Sequence, residues 1–209
     1  MSTFLKFESL GDNCEMGFFL RNNSNEESSF FRWVVTPVNA LINVLDSKFN
    51  GIYSIENLEE SSLGMVRDTK YDLCFHSQLS VASPCGGFTF LSDKEKVKSI
   101  YENEKSKIDY LVEKFQHSKD KIFVIKANSN LSMSDAKRVK AALDNFFDKD
   151  TNLLVVVESL DKKGEVEIKE DIYFAYITRF APYDRADDIC DSDWESILSR
   201  TETLIGGRT

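Results

Sequence analysis

Short apolar runs alternate along the chain with stripes of apolar residues at helical spacing. The runs 121–126 (KIFVIK) and 153–157 (LLVVV) are typical of strands that are buried on both faces of a sheet. A further strand is predicted over 172–178, and the segment around Val166 predicts a strand at a sheet edge. Near the start of the chain, 4–10 alternates enough to predict a short first strand.

Between these runs the sequence carries the start signals of helices. Thr36 as a capping residue and Pro37 at the first helical position predict one helix. Ser92 and Glu95 form the pattern of a capping box and predict the start of a long amphipathic helix. Further helices are predicted directly after the turn at 11–13, over about 134–147 and after Ser192.

Strands and helices that alternate in this way are typical of the α/β class. We expect a mostly parallel sheet of about five strands with helices on both faces, which gives three layers. The run 73–75 (LCF) is expected to contribute one of these strands. No repeat, linker or low-complexity tract divides the chain, so we expect a single α/β domain over 1–205 and a loose C-terminal end over 206–209.

The composition limits the kinds of partner. The chain has 209 residues, of which 42% are hydrophobic, and this is typical of one globular domain with a sizeable core. With 26 Lys+Arg against 35 Asp+Glu, the net charge of -9 disfavours binding to nucleic acid or anionic lipid. No apolar run approaches the roughly 18 residues of a membrane span. Charges at Lys6 and Glu8 come too early for a signal peptide, so we expect a cytoplasmic protein without a membrane span or a nucleic-acid partner.

The cysteines and histidines are few enough to be considered one by one. We expect free thiols, because the four cysteines form no CxxC pair and match no zinc-binding spacing. The cysteines are Cys14, Cys74, Cys85 and Cys190. Only His76 and His117 carry an imidazole. Cys74 and His76 would share one face of a strand, but two ligands without a third do not make a metal site, and we expect no metal.

Polar residues follow the predicted strands at one edge of the sheet. In an open α/β sheet, ligands bind beyond the carboxyl ends of the strands, where loops meet and helix N-termini point their free N–H groups. The residues at these positions are Asp12, Asn13 and Cys14, then His76, Asn128 and Glu158, and finally Arg179 with Asp184. We therefore expect an active site at this edge.

Cys14 is the candidate nucleophile and His76 the candidate base. A thiol in the first turn of a helix lies at the positive end of the helix dipole, which favours the thiolate and predicts a lowered pKa. His76 is the only histidine predicted at the end of a strand. The candidates for a third group that orients the histidine are Asp184, Asp187, Asn128 and Glu15, with Asp184 as our first choice.

Each candidate also has a structural interpretation. Cys14 could be a small buried hydrophobic residue, and His76 could be a hydrogen-bonded residue at a strand end. Arg179 could form an ion pair with a nearby aspartate. Trp33 and Trp194 could belong to the core and not to a sugar-binding surface.

Several segments are similar to a bacterial family of unknown function. The segment 9–15 (SLGDNCE) with Arg21, 31–33 (FRW) and 36–37 (TP) resembles a family described as papain-like cysteine peptidases, which is often encoded near surface-polysaccharide genes. Further similar elements, which extend the resemblance through most of the chain, are 75–76 (FH), 179–183 (RFAPY), 187–189 (DDI) and Trp194.

This resemblance implies Cys14 as the nucleophile and His76 as the base. The chain carries Arg32 and Ser77 where members of that family commonly carry aspartate. The signal around Cys14 is also similar to a capsular-polysaccharide acetyltransferase-like family that binds coenzyme A. Coenzyme A is therefore a candidate cofactor, and acyl transfer competes with peptide hydrolysis as the implied reaction.

Three functions are open on the sequence alone. The first is a thiol-nucleophile enzyme, a hydrolase or an acyltransferase, that acts on a small-molecule or saccharide substrate in surface-polysaccharide metabolism. The second is a sugar-active transferase without a covalent thiol intermediate, and the third is a non-enzymatic carbohydrate-binding or assembly module. The candidate substrate-binding residues are Asp12, Asn13, Glu15, Arg21, Arg32, Trp33, Asn128 and Arg179. The oligomeric state stays open.

Overall fold

The computed structural model describes residues 4–61, 64–126, 128 and 131–207, and the chain has an α/β fold. The strands are β1 (Phe7–Ser9), β2 (Val34–Val35), β3 (Leu58–Glu60), β4 (Val66–Asp68), β5 (Leu73–Phe75), β6 (Ser80–Ala82), β7 (Phe88–Phe90), β8 (Ile122–Lys126), β9 (Asn152–Glu158), β10 (Val166–Lys169) and β11 (Ile172–Ile177). The helices are α1 (Glu15–Asn22), α2 (Val38–Asp46), α3 (Lys94–Gln116), α4 (Met133–Phe147) and α5 (Asp191–Gly206).

A five-stranded sheet forms the centre, in the order β1-β8-β9-β11-β10. The strands β1, β8, β9 and β11 are parallel, and β10 pairs antiparallel with β11 at the edge. All five residues of β8 are buried, as its apolar run predicted. The prediction of an α/β chain with a mostly parallel sheet of about five strands is confirmed.

The strand at 73–75 does not join this sheet, and that expectation is wrong. Instead, β5 lies in a second, antiparallel sheet with the order β2-β5-β4-β3. A parallel neighbour needs a long crossover, whereas only residues 69–72 separate β4 from β5, so these two strands pair as a hairpin. His76 follows β5 and is therefore carried by a different sheet from the strand that precedes Cys14.

Neighbouring residues of the central strands pack into two different hydrophobic clusters. Phe123 and Ile125 of β8 belong to a cluster that includes residues of α2 and α4. Val124, between them in sequence, belongs to a cluster with Phe19 of α1 and Trp194 of α5. Because successive side chains of a strand point to opposite faces, each face of β8 is buried in its own cluster.

Two helices begin one residue away from their predicted starts. The capping position of α2 is occupied by Pro37, one residue after Thr36. The cap of α3 is Asp93, whose carboxylate accepts hydrogen bonds from two backbone N–H groups, and Ser92 lies outside the helix. Both differences follow from the backbone: Pro37 and Asp93 have the extended ψ angles, 149° and 108°, that lead into a helix.

The C-terminal helix begins earlier and ends later than predicted, because its capping position is Cys190 and Ser192 already lies within the helix. Helix α5 continues through Gly206, so the residues expected to form a loose end include the last residue of a helix, and 208–209 lie outside the described residues. Among the helices that the structure describes, none is both long and apolar enough to cross a membrane.

Glu8 of β1 makes the stability of the fold depend on pH. It is 8% exposed. Desolvation raises the pKa of its carboxyl from 4.5 to about 7, although Ser29 donates a hydrogen bond to it and Lys121 and Lys114 lie near enough to oppose the shift. The folded protein thus holds a proton that the unfolded chain releases. This stabilisation is complete below pH 4.5 and is lost as the pH rises through about 7.

We predict that Glu8→Gln removes this pH dependence. The free energies of unfolding of the wild type and the variant are measured in urea. The wild-type value minus the variant value should fall by roughly 3 kcal/mol as the pH rises across this range. The exposed Glu102→Gln serves as the control for loss of a surface charge. Parallel curves for the wild type and Glu8→Gln would contradict the assignment.

Candidate active site

A cleft of about 690 Å³ opens beside the carboxyl end of β1. Its walls come from α1 and the residues before it, from β2 and the loop after β5 in the second sheet, and from the loop that follows β11. This size is within the range of roughly 300–1,000 Å³ that is usual for small-molecule sites. Parts of the chain that are far apart in sequence therefore meet in one cleft.

A tight turn places Cys14 in front of α1. Gly11 has a φ of +92°, and a Cβ on it would lie 2.5 Å from Oγ1 of Thr36, so glycine is required for this close approach. Oδ1 of Asn13 accepts a hydrogen bond of 3.0 Å from the N–H of Glu15. Cys14 thereby becomes the capping residue of α1 and precedes its first turn.

The thiol of Cys14 lies against the imidazole of His76. The distance from Sγ to Nε2 is 3.6 Å, although the two residues are 62 positions apart in the chain. Cys14 is 9% exposed, whereas His76 is exposed. In the tautomer that carries its proton on Nδ1, His76 accepts a hydrogen bond from the thiol. The candidate nucleophile and the candidate base are thus within reach of each other.

Burial decides the charge state of Cys14. Desolvation raises the pKa of the thiol above its ordinary value, and the positive charges of Lys126 and Arg21 oppose this shift only in part. The sequence predicted a lowered pKa from the helix dipole, and that prediction is wrong. The sulfur is largely removed from water, and this desolvation is the largest cause of the raised pKa. Burial thus favours the neutral thiol of Cys14.

The loop after β5 that carries His76 is held by Glu104 of α3. Oε2 of Glu104 accepts hydrogen bonds from the hydroxyls of Tyr53 at 2.6 Å and Ser77 at 2.7 Å. Its Oε1 accepts one from the N–H of Gln78 at 2.8 Å. Sequence reasoning missed Glu104, because α3 carries charges along most of its length and a single inward glutamate has no distinguishing local pattern.

A buried ion pair lies behind Cys14. Nζ of Lys126, at the end of β8, is 2.7 Å from Oε2 of Glu15, and the two side chains are 2% and 0% exposed. The indole N–H of Trp194 donates to the other carboxylate oxygen of Glu15 at 3.0 Å. Lys126 also donates to Asn128 at 2.6 Å and lies 4.7 Å from the ring centroid of Phe180. Sequence reasoning missed the role of Lys126 as the partner of Glu15. The signal that could have indicated it is a charged residue at the end of an apolar strand.

Two of the predicted substrate-binding arginines have partners within the protein. Arg32 is 3% exposed and donates to backbone carbonyls of Gly17, Asn25 and Glu27 at 2.7 to 3.1 Å. Arg179 pairs with the carboxylate of Asp188 at 2.9 Å. Neither arginine lines the cleft among the described residues.

Three other predicted substrate-binding residues support the turn before α1. Glu15 is the buried partner of Lys126. Asp12 accepts a hydrogen bond from the N–H of Asn128 at 3.2 Å, and the side-chain amide of Asn128 donates to the carbonyl of Ala181 at 3.3 Å. These contacts tie the ends of β1, β8 and β11 together.

The remaining predicted residues line the cleft. Asn13, Arg21, Trp33 and Asp184 all do so, together with Cys14. Nδ2 of Asn13 is buried and has no hydrogen-bond partner among the described residues. Asp184 is exposed, and within the part of the chain that the structure describes no hydrogen bond joins it to His76. In the same part, no group of three or more potential ligand residues is arranged to hold a metal ion.

The raised pKa of Cys14 predicts how its reactivity depends on pH. Alkylation by iodoacetamide requires the thiolate, so its rate at Cys14 should reach half of its maximum above about pH 8.5, the reference value for cysteine. Mass spectrometry resolves this rate from that of the exposed Cys85, which serves as an internal reference. A midpoint well below the reference would indicate a resting ion pair between Cys14 and His76.

The hydrogen bonds to Glu104 predict a measurable effect of Glu104→Gln. The variant loses the negative charge that accepts these hydrogen bonds. Burial and the carboxylate of Glu104 raise the pKa of Tyr53, so its hydroxyl stays protonated and donates. We expect a loss of about 1–3 kcal/mol in the free energy of unfolding and faster hydrogen exchange at the amide of Gln78. The exposed Glu113→Gln on the same helix is the matched control. Unchanged exchange in Glu104→Gln would exclude the positioning role.

Comparisons with known proteins supply no family for this chain. No protein-family model matches it, no curated protein matches it, and no solved structure matches its fold. Its function therefore has to be argued from the geometry of the cleft.

Proposed function

We propose that the protein is a thiol enzyme that transfers an acyl group, either to water as a hydrolase or to a second acceptor as an acyltransferase. The observation that carries this proposal is the distance of 3.6 Å between Sγ of Cys14 and Nε2 of His76 in a cleft of about 690 Å³. Nucleophile and base within hydrogen-bonding reach are the signature of covalent catalysis.

In the proposed reaction His76 removes the thiol proton as Sγ of Cys14 attacks a carbonyl carbon. The new S–C bond makes the carbonyl oxygen an oxyanion, for which the unpartnered amide Nδ2 of Asn13 is the suited donor. Collapse of this intermediate breaks the bond to the leaving group, which receives the proton from His76. Water or a second acceptor, deprotonated by His76, then attacks the thioester carbonyl, the C–S bond breaks, and His76 returns the proton to the sulfur of Cys14.

A neutral resting thiol suits this sequence of steps. Because burial raises the pKa of Cys14, a general base has to take the proton during the attack. His76 is the group assigned to that role. The positive charges of Lys126 and Arg21 stabilise the thiolate as it forms and so offset part of the cost of its desolvation. The proposal therefore assigns His76 to proton transfer in both halves of the reaction.

The two alternative functions have less support. A carbohydrate-binding module would present both tryptophans to solvent, but only Trp33 lines the cleft, whereas Trp194 is 0% exposed and its indole N–H is bound to Glu15. A transferase that relies on several arginines would keep their guanidinium groups free, but Arg32 and Arg179 are bound to other parts of the chain.

The proposal includes a setting and a substrate class. The substrate is a small molecule or a saccharide derivative of surface-polysaccharide metabolism, as the resemblance of the sequence implies. The enzyme acts in the cytoplasm, and the four free cysteines support a reducing compartment. The scaffold is a three-layer α/β domain, which the separate hydrophobic clusters on either side of β8 support.

We predict that p-nitrophenyl acetate, an activated acyl donor, acetylates Cys14. Intact-protein and peptide mass spectrometry should locate the acetyl group on Cys14 in the wild type and find none in Cys14→Ser. His76→Ala should slow the acetylation by about a hundredfold or more, because the general base is lost. The exposed His117→Ala is the matched control, since it removes the other histidine of the chain. Equal rates in the two histidine variants would overturn the proposal.

A further inference from the structure

The structure separates the three arginines that the sequence associates with the site. Arg32 is buried and donates to backbone carbonyls, and Arg179 is paired with Asp188. Arg21 is exposed and lines the cleft that contains Cys14. Among the described residues no carboxylate forms an ion pair with Arg21, so its guanidinium N–H groups are available to a ligand.

Aromatic rings fix the position of this guanidinium. The centre of the Arg21 guanidinium lies 4.5 Å from the ring centroid of Trp33 and 5.0 Å from that of Phe18. The two rings pack edge to face, with centroids 5.2 Å apart. Trp33 can approach α1 so closely because Gly17 has no side chain: a Cβ there would lie 3.2 Å from the indole and 2.7 Å from the carbonyl of Arg32. The guanidinium is held against these two rings, with its N–H groups available for bidentate hydrogen bonds.

Helical spacing places Arg21 on the same side of α1 as the nucleophile. Residues 14, 18 and 21 are separated by four and three positions, so their side chains share one face. At 1.5 Å per residue, Arg21 is about 10 Å along the helix axis from Cys14. The aromatic ring of Phe18 lies between them.

We propose that Arg21 binds an anionic group, a phosphate or a carboxylate, of the acyl substrate. This inference rests on the proposed function of Cys14. It describes the substrate as a molecule with a reactive carbonyl at Cys14, a flat or apolar segment over Phe18 and Trp33, and a negative charge at Arg21. Guanidinium groups recognise both phosphate and carboxylate through paired hydrogen bonds, so the chemistry is shared by phosphorylated acyl donors and by acidic sugars.

The charges around the cleft orient such a substrate in one direction. Asp184 and Asp187 are exposed and line the cleft, and they repel an anion from the loop after β11. Arg21 and Trp33 also line a second cavity of about 500 Å³, whose other charged residues are Glu26, Glu27, Arg32 and Lys107. The anionic end of the substrate therefore lies at Arg21, away from Asp184 and Asp187.

Two disulfide reagents test the charge at Arg21 through the thiol. Dithiobis(nitrobenzoate) carries carboxylates and dithiodipyridine is neutral, and both form a mixed disulfide with Cys14 while releasing an aromatic thiol. For each reagent we consider the rate constant for modification of Cys14. In Arg21→Gln the ratio of the rate constant for the anionic reagent to that for the neutral reagent should fall by about threefold or more. Arg200→Gln, which removes an exposed arginine of α5, should leave the ratio unchanged.

Binding measurements in Cys14→Ser test the same site without thiol chemistry. Inorganic pyrophosphate, coenzyme A and glucuronate are titrated while tryptophan fluorescence is recorded, since Trp33 lies beside the site. At least one of these anions should bind. Adding Arg21→Gln to Cys14→Ser should weaken its affinity by about tenfold or more, and Arg21→Lys in the same background should restore part of the affinity. Binding of the phosphates alone indicates a phosphorylated substrate, and binding of glucuronate alone indicates an acidic sugar.

The results separate this inference from the proposed function. Arg21-dependent anion binding in a protein whose Cys14 is not acetylated by p-nitrophenyl acetate would support the anion site and overturn the thiol enzyme. Acetylation of Cys14 with no Arg21-dependent binding and an unchanged reagent ratio would support the thiol enzyme and overturn the anion site.

Discussion

The buried ion pair between Lys126 and Glu15 ties the carboxyl end of β8 to the first residue of α1. Two charges removed from water are tolerated only when they are paired closely and their remaining groups are hydrogen-bonded. Trp194 and Asn128 provide those bonds, so α1, α5 and the ends of the parallel strands share one set of contacts. The position of Cys14, directly before Glu15, follows from this constraint. Loss of one member would leave an unpaired charge beneath the cleft.

The candidate dyad depends on two sheets that meet at one edge. Cys14 is positioned by the turn after β1 of the parallel sheet, and His76 by the end of β5 in the antiparallel sheet. Glu104 of α3 holds the loop after His76 through three hydrogen bonds. The candidate base is thus anchored independently of the candidate nucleophile, and the two supports together set the distance of 3.6 Å between Sγ of Cys14 and Nε2 of His76.

Much of the fold could be predicted because its signals are local. The apolar runs of β8 and β9 and the stripes of α3 and α4 reflect neighbours within a few residues, and the structure contains these elements close to the predicted bounds. The order of polar residues after the strands also indicated where Cys14 would lie. Predictions failed where strand pairing or burial depends on neighbours that the pattern of one segment does not show. Leu73–Phe75 pairs with Val66–Asp68 as a hairpin and so lies outside the parallel sheet, and desolvation raises the pKa of Cys14.

The sequence by itself determined which segments become strands and helices and which thiol and imidazole are available, because periodicity and residue type are properties of the chain alone. Only the tertiary structure decided that His76 reaches Cys14 and that Arg32 and Arg179 are bound elsewhere. It also decided that Arg21 lines the cleft with no ion pair to any residue that the structure describes. The reason is physical. Whether a charged or reactive group is available depends on which partners fold around it, and those partners come from positions that no local pattern connects.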